Sequence, residues 1–260
     1  MSTPLSQRDQ AEIERSAAEA GKAAAQPLEQ AEVERYLNPP ADTPFALEYA
    51  FHLLGDVRDK TVLDLGCGQG ENIVPLIARG ARVRALDISP ELITITRRRL
   101  RDEGLEAEVA VGSAYETGLA ERSVDVIFCM SLIHHLDIKR VRDEMWRILR
   151  PGGVVILKEP VRFSNVYSWL RGLLPAHEDI SDYEHPLTRE ELAVMVQPFA
   201  AEGLRYFRLP FVPLFSRVLP ATTKSAWLAS GRLLRVLPVL ERYATSVVVR
   251  LRKPVLNFPT

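Results

Sequence analysis

The chain has 260 residues, 47% of them hydrophobic, and a formal net charge of −1. This suits one large α/β domain with appendages, and the balanced charge gives no reason to expect nucleic acid as a partner. Two cysteines, Cys67 and Cys129, are too few for a disulfide framework or a zinc cluster. With no apolar run near about 18 residues and no signal-peptide pattern, we predict a cytoplasmic protein without a transmembrane helix.

The segment before the first strand is predicted to be helical. Residues 1–37 are rich in Ala, Glu, Gln and Arg, and we predict that residues 1–44 form an N-terminal helical cap that is partly flexible. Pro27 is placed to begin a second helix there, and Asn38-Pro39-Pro40 ends the segment. Residues 45–54 then form an amphipathic helix that opens the main domain, predicted over 45–260.

From residue 61 onward, apolar runs alternate with helical patterns, which predicts a parallel, doubly wound α/β sheet. The seven predicted strands are 61–65, 82–87, about 107–111, 124–130, 154–158, about 204–209 and 245–251. Helices are predicted over about 70–79 and over 188–201. A further helix begins at Pro90, and another ends at Leu149, before a turn at 150–153. Strands 6 and 7 lack a crossover of the usual kind, so strand 7 is predicted to be an antiparallel edge strand.

Two stretches exceed a minimal sheet of this kind, namely residues 160–187 and 210–243. Long insertions in compact domains are often functional lids, so we predict that both cover a pocket for the substrate. The first insertion supplies candidate pocket-wall side chains: Tyr167, Trp169, His177, Tyr183, Glu184 and His185.

A glycine-rich turn follows the first strand. Glycines stand at 66, 68 and 70, and the second strand ends in Asp87. Glycine lets the backbone approach a ligand closely because no Cβ intervenes. A carboxylate at the end of the next strand can accept both hydroxyls of a ribose. The pair predicts a nucleoside site at the carboxyl edge of the sheet.

The spacing of this loop distinguishes between nucleosides. A dinucleotide fingerprint would require glycine at position 71, where Glu71 stands. Asp64 would be unfavourable beside a pyrophosphate but suits a cationic amino group. The run Asp-x-Gly-x-Gly-x-Gly from Asp64 resembles motif I of the class I S-adenosylmethionine-dependent methyltransferases, in particular the small-molecule type with a methyltransferase-11-like domain.

The resemblance implies a Rossmann-like fold, S-adenosylmethionine as cofactor, S-adenosylhomocysteine as product, and methyl transfer. It assigns the methionine end of the cofactor to Asp64 and the loop Gly66, Cys67 and Gly68, and the ribose to Asp87. Ile88 would pack on the adenine, and Ser113 and Ala114 would bind its edge, although the family commonly has Asp where Ser113 stands. Met130 and Ser131 would flank the sulfonium, and Tyr36 would fold over the cofactor's carboxylate.

Three side chains are candidates for a general base: His134, His135 and Glu159. A neutral amine needs little more than alignment with the methyl group, whereas a hydroxyl or a carbon acid needs a base. Sequence reasoning does not rank the three. Adjacent histidines at the start of a helix would point to different faces, so we predict that they share no task and bind no metal.

The acceptor is predicted to be a small molecule methylated on oxygen, nitrogen or carbon. Cys-Met-Ser-Leu follows the fourth strand, where DNA amino-methyltransferases carry Asn/Asp-Pro-Pro-Tyr/Phe. The aromatic and apolar insertions favour an isoprenoid, lipid-like or aromatic acceptor. Alternatives are a membrane-surface enzyme with a lipid-linked acceptor, a catalytically silent cofactor-binding protein, and a nicotinamide oxidoreductase, which Glu71 and Asp64 disfavour.

Residues 224–243 combine leucines and valines with Lys224, Arg232, Arg235 and Arg242. Such a segment could lie on a membrane surface as a basic amphipathic helix. It could equally pack over the active site as a lid, or against a second subunit, so the chain is predicted to be a monomer or a homodimer.

Overall fold

The computed structural model describes residues 28–164, 185–212 and 223–255, together with Gln10 and Ile13. The predicted first part of the N-terminal cap lies outside the described residues. So do five of the candidate pocket-wall side chains: Tyr167, Trp169, His177, Tyr183 and Glu184.

Seven strands and seven α-helices carry the described fold. The strands are β1 Thr61–Leu65, β2 Arg82–Asp87, β3 Glu108–Val111, β4 Val124–Met130, β5 Leu149–Pro160, β6 Ala200–Phe207 and β7 Ser246–Arg252. The helices are α1 Gln30–Leu37, α2 Ala46–Leu54, α3 Ile73–Ala78, α4 Pro90–Asp102, α5 Ile138–Ile148, α6 Arg189–Val196 and α7 Thr223–Val236. Two 3₁₀ turns span Ile133–His135 and Pro238–Tyr243.

The strands form one sheet in the order β3-β2-β1-β4-β5-β7-β6. The first five run parallel, and β7 pairs antiparallel with both β5 and β6. The predicted Rossmann-like sheet and its antiparallel strand are therefore confirmed. β7 is inserted between β5 and β6, so that β6 forms the outer edge. The strand order reverses between β1 and β4, and in open α/β sheets ligands bind outside the carboxyl ends of the strands at such a point.

Side chains alternate between the two faces of the sheet. Leu63 and Val155 pack with α5 and α6 on one face, whereas Val62 and Ile156 pack with α2, α3 and α4 on the other. By this alternation Lys158 belongs to the α2 face and Glu159 to the α5 face. These two neighbouring residues at the end of β5 therefore lie on opposite faces of the sheet.

Two predicted helices are shorter in the structure. α3 begins at Ile73 rather than near 70 because Gly70 has φ +78°, outside the helical region. α6 ends at Val196 rather than at 201, since Pro198 lacks an N–H and disfavours helix at the residue before it. The chain is therefore free to begin β6 at Ala200, four residues before the predicted start.

The predicted turn at 150–153 interrupts the beginning of β5. Leu149 pairs with Val124, and the next pair joins Val154 to Val126, so the intervening residues loop out of the ladder. Gly152 has φ +80°, which suits such a turn. Among the described residues, no helix is long and apolar enough to cross a bilayer.

Candidate functional site

The loop after β1 is tied to the end of β2. The amides of Gly66 and Cys67 both donate to Leu86 O, at 2.8 and 3.1 Å. A Cβ at Gly66 would lie 2.8 Å from Leu132 Cδ2, so this glycine lets the loop touch the segment after β4. A Cβ at Gly68 would meet nothing within 4 Å, and its φ is +54°. The backbone at Gly68 therefore borders open space at the sheet edge, as a ligand-binding loop requires.

Helix α4 holds the same loop from behind, through residues that sequence reasoning missed. Thr96 Oγ1 donates to Gly68 O at 2.8 Å, and Arg99 Nε donates to Gln69 O at 2.9 Å. Thr96 is fully buried and Arg99 is 4% exposed. A Cβ at Gly70 would lie 2.8 Å from Thr96 Cγ2. The third glycine thus allows close packing of α4. The available sequence signal for this support was a polar residue, Thr96, within the apolar stripe of α4.

Substituting Gly70 with alanine should lower the free energy of unfolding by about 2–4 kcal/mol, because left-handed strain adds to a clash with Thr96. Gly104→Ala is the matched control, since Gly104 has φ +66° and no neighbour within 4 Å of its Cβ position. The control should cost only about 1–2 kcal/mol. Adding Thr96→Ser to Gly70→Ala should recover part of the difference. Equal losses for both glycines in urea unfolding would contradict the packing role.

Asp64 is the most unusual side chain of the site. It lies in β1, is fully buried, and neither carboxyl oxygen has a hydrogen-bond partner in the described structure. Burial, together with the nearby charge of Asp87, raises the pKa of Asp64 to about 8. Buried polar groups are normally paired, so an unpaired carboxyl beside a glycine loop indicates a ligand that supplies a donor.

Asp87 closes the other side of the loop. Its Oδ2 accepts from Gly68 N at 2.9 Å, and its Oδ1 accepts from Ser89 N at 3.0 Å. Burial raises the pKa of Asp87, while these backbone donors act in the opposite direction. Ile88 follows it and is partly exposed. Asp87 thus orients the glycine loop, and its contact with the ribose stays a prediction.

The segment after β3 lies next to Asp87. Gly112 N donates to Asp87 O at 2.9 Å, which continues the strand pairing and brings Ser113 and Ala114 to the same edge. Ser113 Oγ accepts from Tyr115 N at 3.2 Å, so its hydroxyl shapes this turn. Ser113 and Ala114 are both partly exposed, and their contact with adenine stays a prediction.

Met130 ends β4 and pairs with Lys158 of β5, a residue that sequence reasoning missed, and Ser131 follows Met130. Ser131 has φ +58°, and its amide donates to Lys158 O at 2.7 Å. In return, Lys158 Nζ donates to Ser131 Oγ at 2.7 Å. Burial lowers the pKa of Lys158. The available sequence signal for this contact was a lysine at the end of the apolar β5 run. Through these two hydrogen bonds Lys158 fixes the left-handed turn at Ser131.

The two histidines lie in the 3₁₀ turn before α5 rather than at the start of the helix. α5 begins only at Ile138, with Asp137 Oδ1 accepting from Arg140 N at 3.1 Å as its cap. The rings of His134 and His135 are 3.9 Å apart, so the prediction that they point to different helix faces is wrong. The tighter turn brings them together, and both are 9% exposed.

Glu159 organises this turn. Its Oε1 accepts from the amides of Leu132 and Ile133, both at 2.9 Å, and its Oε2 lies 2.7 Å from His134 Nδ1. Glu159 is 1% exposed. Its carboxylate therefore binds both the backbone of the turn and the imidazole of His134. A direct contact of Glu159 with the acceptor, as predicted, is disfavoured because both of its carboxyl oxygens already have partners.

The remaining predicted residues are placed as follows. Tyr36, on α1, stacks on Phe51 with ring centroids 4.8 Å apart, and burial raises its pKa. α1 packs against α3, which follows the glycine loop, and the contact of Tyr36 with the cofactor stays a prediction. His185 Nε2 lies 2.8 Å from Glu191 Oε1, at the capping box of α6. In the part of the chain that the structure describes, no group of three or more His, Cys, Asp or Glu is positioned to hold a metal ion.

A family model described as a methyltransferase domain matches residues 63–157, which include the glycine loop, Asp87 and both histidines. The chain therefore carries a class I S-adenosylmethionine-dependent methyltransferase domain.

Curated relatives of this methyltransferase include two enzymes named ubiquinone biosynthesis O-methyltransferase. The one from Idiomarina loihiensis is 29% identical over 171 residues, which cover 62% of this chain and 69% of that protein. The one from Serratia proteamaculans is 29% identical over 135 residues, covering 51% and 55%. The chain thus spans about half the length of the second relative. Among solved structures, geranyl diphosphate C-methyltransferase from Streptomyces coelicolor A3(2) shares the fold, with a TM-score of 0.63, 17% identity and coverage of 96% and 100%.

The site of this methyltransferase fits its cofactor, S-adenosylmethionine. The unpaired carboxyl of Asp64 suits the amino group of the methionine end, beside the loop at Gly66, Cys67 and Gly68. Asp87 suits the ribose, and the contacts of Ile88, Ser113 and Ala114 with the adenine stay predictions. When bound, the cofactor supplies a methyl group that its positively charged sulfur already activates. Positioning and proton removal are then the tasks left to the protein.

Proposed function

We propose that this methyltransferase methylates a hydroxyl group of an apolar small molecule. The observation that carries the proposal is the pair of His134 and Glu159 at the carboxyl ends of β4 and β5. A hydroxyl must lose its proton as the new bond forms, whereas an amine attacks without a base. A buried carboxylate that holds one imidazole nitrogen is the arrangement expected for a histidine that accepts a proton at the other.

The proton path follows from these contacts. With Nδ1 of His134 directed at Glu159, the neutral ring donates there and its Nε2 acts as the base. The acceptor's O–H bond breaks as its proton passes to Nε2, and the oxygen's electron pair forms the bond to the methyl carbon. Glu159 then stabilises the imidazolium that results. Ser131 and Lys158, beside the turn, help to shape the acceptor side of this edge.

The names of the relatives support oxygen as the acceptor atom. Both proteins named above are O-methyltransferases of ubiquinone biosynthesis, and each is 29% identical to this chain. The apolar, aromatic composition of residues 160–187 supports an acceptor molecule that is apolar. We therefore propose a phenol or catechol that carries an apolar chain as the substrate class.

A comparison of matched acceptors tests the proposal. The purified protein is incubated with S-adenosylmethionine and, separately, with an alkyl catechol, an alkyl phenol and the corresponding alkyl aniline. Mass spectrometry follows the methylated product together with S-adenosylhomocysteine. We expect methylation of the catechol or phenol, at a rate that rises with pH, and little methylation of the aniline. Preferential methylation of the aniline would contradict the proposal. S-adenosylhomocysteine binding without turnover of any of the three acceptors would also count against it.

A further inference from the structure

The outward side of α7 alternates cations with apolar side chains. Lys224, Leu228, Arg232 and Val236 follow at four-residue spacing, which places them on one side of the helix. All four are exposed, and Val236 is 74% exposed. The helix contains no Asp or Glu. The stripe therefore presents cations and aliphatic side chains to solvent together.

The other side of α7 is fixed to the domain. Ser230 Oγ accepts from Leu209 N at 2.8 Å, just beyond the end of β6. A Cβ at Gly231 would lie 2.8 Å from Pro44 Cβ, so the helix packs closely on the segment before α2. Because these contacts set the rotation of α7, its exposed apolar side chains cannot turn inward to escape water.

The apolar surface continues past the end of α7. Nine large hydrophobic side chains are exposed among the described residues, and five of them lie within residues 228–239. These five are Leu228, Leu233, Val236, Leu237 and Val239. Such clustering on a soluble domain marks an interaction surface rather than scattered exposure. We call residues 223–243 the α7 surface.

The charge of the α7 surface indicates what it contacts. It carries four cations (Lys224, Arg232, Arg235 and Arg242) and one acid (Glu241), a net charge of +3, although the whole chain has −1. Asp42 lies 3.8 Å from Arg235 and offsets one of these charges, so the surface remains positively charged. We propose that the α7 surface docks this methyltransferase onto an anionic lipid surface. Its aliphatic side chains would enter the boundary of the acyl chains while the cations contact anionic headgroups.

A second copy of the chain fits this surface less well. A twofold interface places the same patch on both subunits, so two positively charged surfaces would face each other. Like charges across an interface are unfavourable, and the cores of protein interfaces are depleted of lysine. An anionic bilayer instead satisfies the cations and covers the aliphatic side chains together.

Docking in this manner would bring the active-site edge towards the lipid. β6 runs parallel to β5, so the end of β6 beside Ser230 lies at the same sheet edge as Lys158 and Glu159. An apolar acceptor could then pass from the bilayer to the site without crossing water. This consequence rests on the proposed function, whereas lipid binding itself does not.

Vesicle sedimentation of the full chain tests the docking. Phosphatidylcholine vesicles with and without phosphatidylglycerol are compared at low and high salt. We expect binding only with phosphatidylglycerol, weakened by salt. Lys224→Gln with Arg232→Gln should weaken partitioning about 25-fold, at roughly fivefold for each cation. Val236→Ser with Val239→Ser should weaken it about tenfold.

Arg98→Gln with Arg101→Gln is the matched control. It removes two exposed cations from α4, at the opposite end of the sheet from α7, and should leave partitioning unchanged. Equal losses in the control, or no binding to phosphatidylglycerol vesicles, would overturn the proposal. So would concentration-dependent dimerisation that the valine substitutions abolish, because it would assign the surface to a second copy. Methylation of a short-chain, water-soluble catechol should persist in the α7 variants, which separates this test from that of the acceptor.

Discussion

Binding of S-adenosylhomocysteine at pH 7 is expected to release close to one proton from Asp64. The pKa of Asp64 in the ligand-free protein is about 8, so the carboxyl is protonated at pH 7. The ammonium group of the ligand favours the ionised carboxyl, and the proton leaves on binding. Calorimetry in buffers of different ionisation enthalpy measures this release. The dissociation constant should fall by about tenfold per pH unit between about pH 6 and 8 and then level off.

Asp64→Asn is the variant that isolates the effect. It should bind S-adenosylhomocysteine about a hundredfold more weakly at pH 8, with no proton release, because the buried charge pair is lost.

The carboxyl of Asp64 also affects the free energy of unfolding of the protein without ligand. Its folded pKa of about 8 lies above the ordinary carboxyl pKa of 3.8, so its stabilising contribution is complete below pH 3.8 and is lost as pH rises through about 8. Unfolding by urea at pH 6 and 9 should show this loss in the natural protein and not in the variant. If the free energy of unfolding of the natural protein and that of Asp64→Asn depended on pH in the same way, the assignment of Asp64 to the amino group of the ligand would be contradicted.

His134→Gln is expected to lower kcat for a phenolic acceptor by about a hundredfold to ten-thousandfold at neutral pH. The reason is that no other group then takes the hydroxyl proton in step with methyl transfer. The affinity for S-adenosylhomocysteine should stay unchanged, since His134 is not among the cofactor residues. The rate of the variant should rise steeply with pH as the acceptor ionises by itself.

Two companion variants separate catalysis from packing. His135→Gln alters the neighbouring ring, 3.9 Å away, and should reduce kcat only severalfold. Glu159→Gln retains an oxygen for the amides of Leu132 and Ile133 but loses the charge beside His134, so an intermediate loss of kcat is expected. If His134→Gln lowers only the free energy of unfolding, or raises KM with kcat intact, the ring is structural and the base lies elsewhere.

The sheet and its cofactor edge were predictable because both are local in sequence. Buried parallel strands are short apolar runs between glycine turns, and the loop from Asp64 to Gly70 carries its own spacing. Asp87 is likewise marked by its place at the end of an apolar run. The boundary of α6 was missed although Pro198 marked it, and β6 was therefore placed too late.

The contacts that turn these residues into a site were not predictable, because they join distant parts of the chain. Glu159 and His134 are 25 positions apart on different elements, and only the pairing of β4 with β5 brings them together. The support of the glycine loop by Thr96 depends on how closely α4 packs on it. A pattern of residue types does not encode such distances.

The contact between Gly66 and Leu132 has an evolutionary consequence. It joins the methyl-donor loop to the turn that carries His134, since the amide of Leu132 also donates to Glu159. Both partners of this contact lie within residues 63–157, the range shared with the family. Under the proposed function, the segments outside that range can change with the acceptor, while this contact keeps the methyl-donor loop and the His134 turn at a fixed spacing.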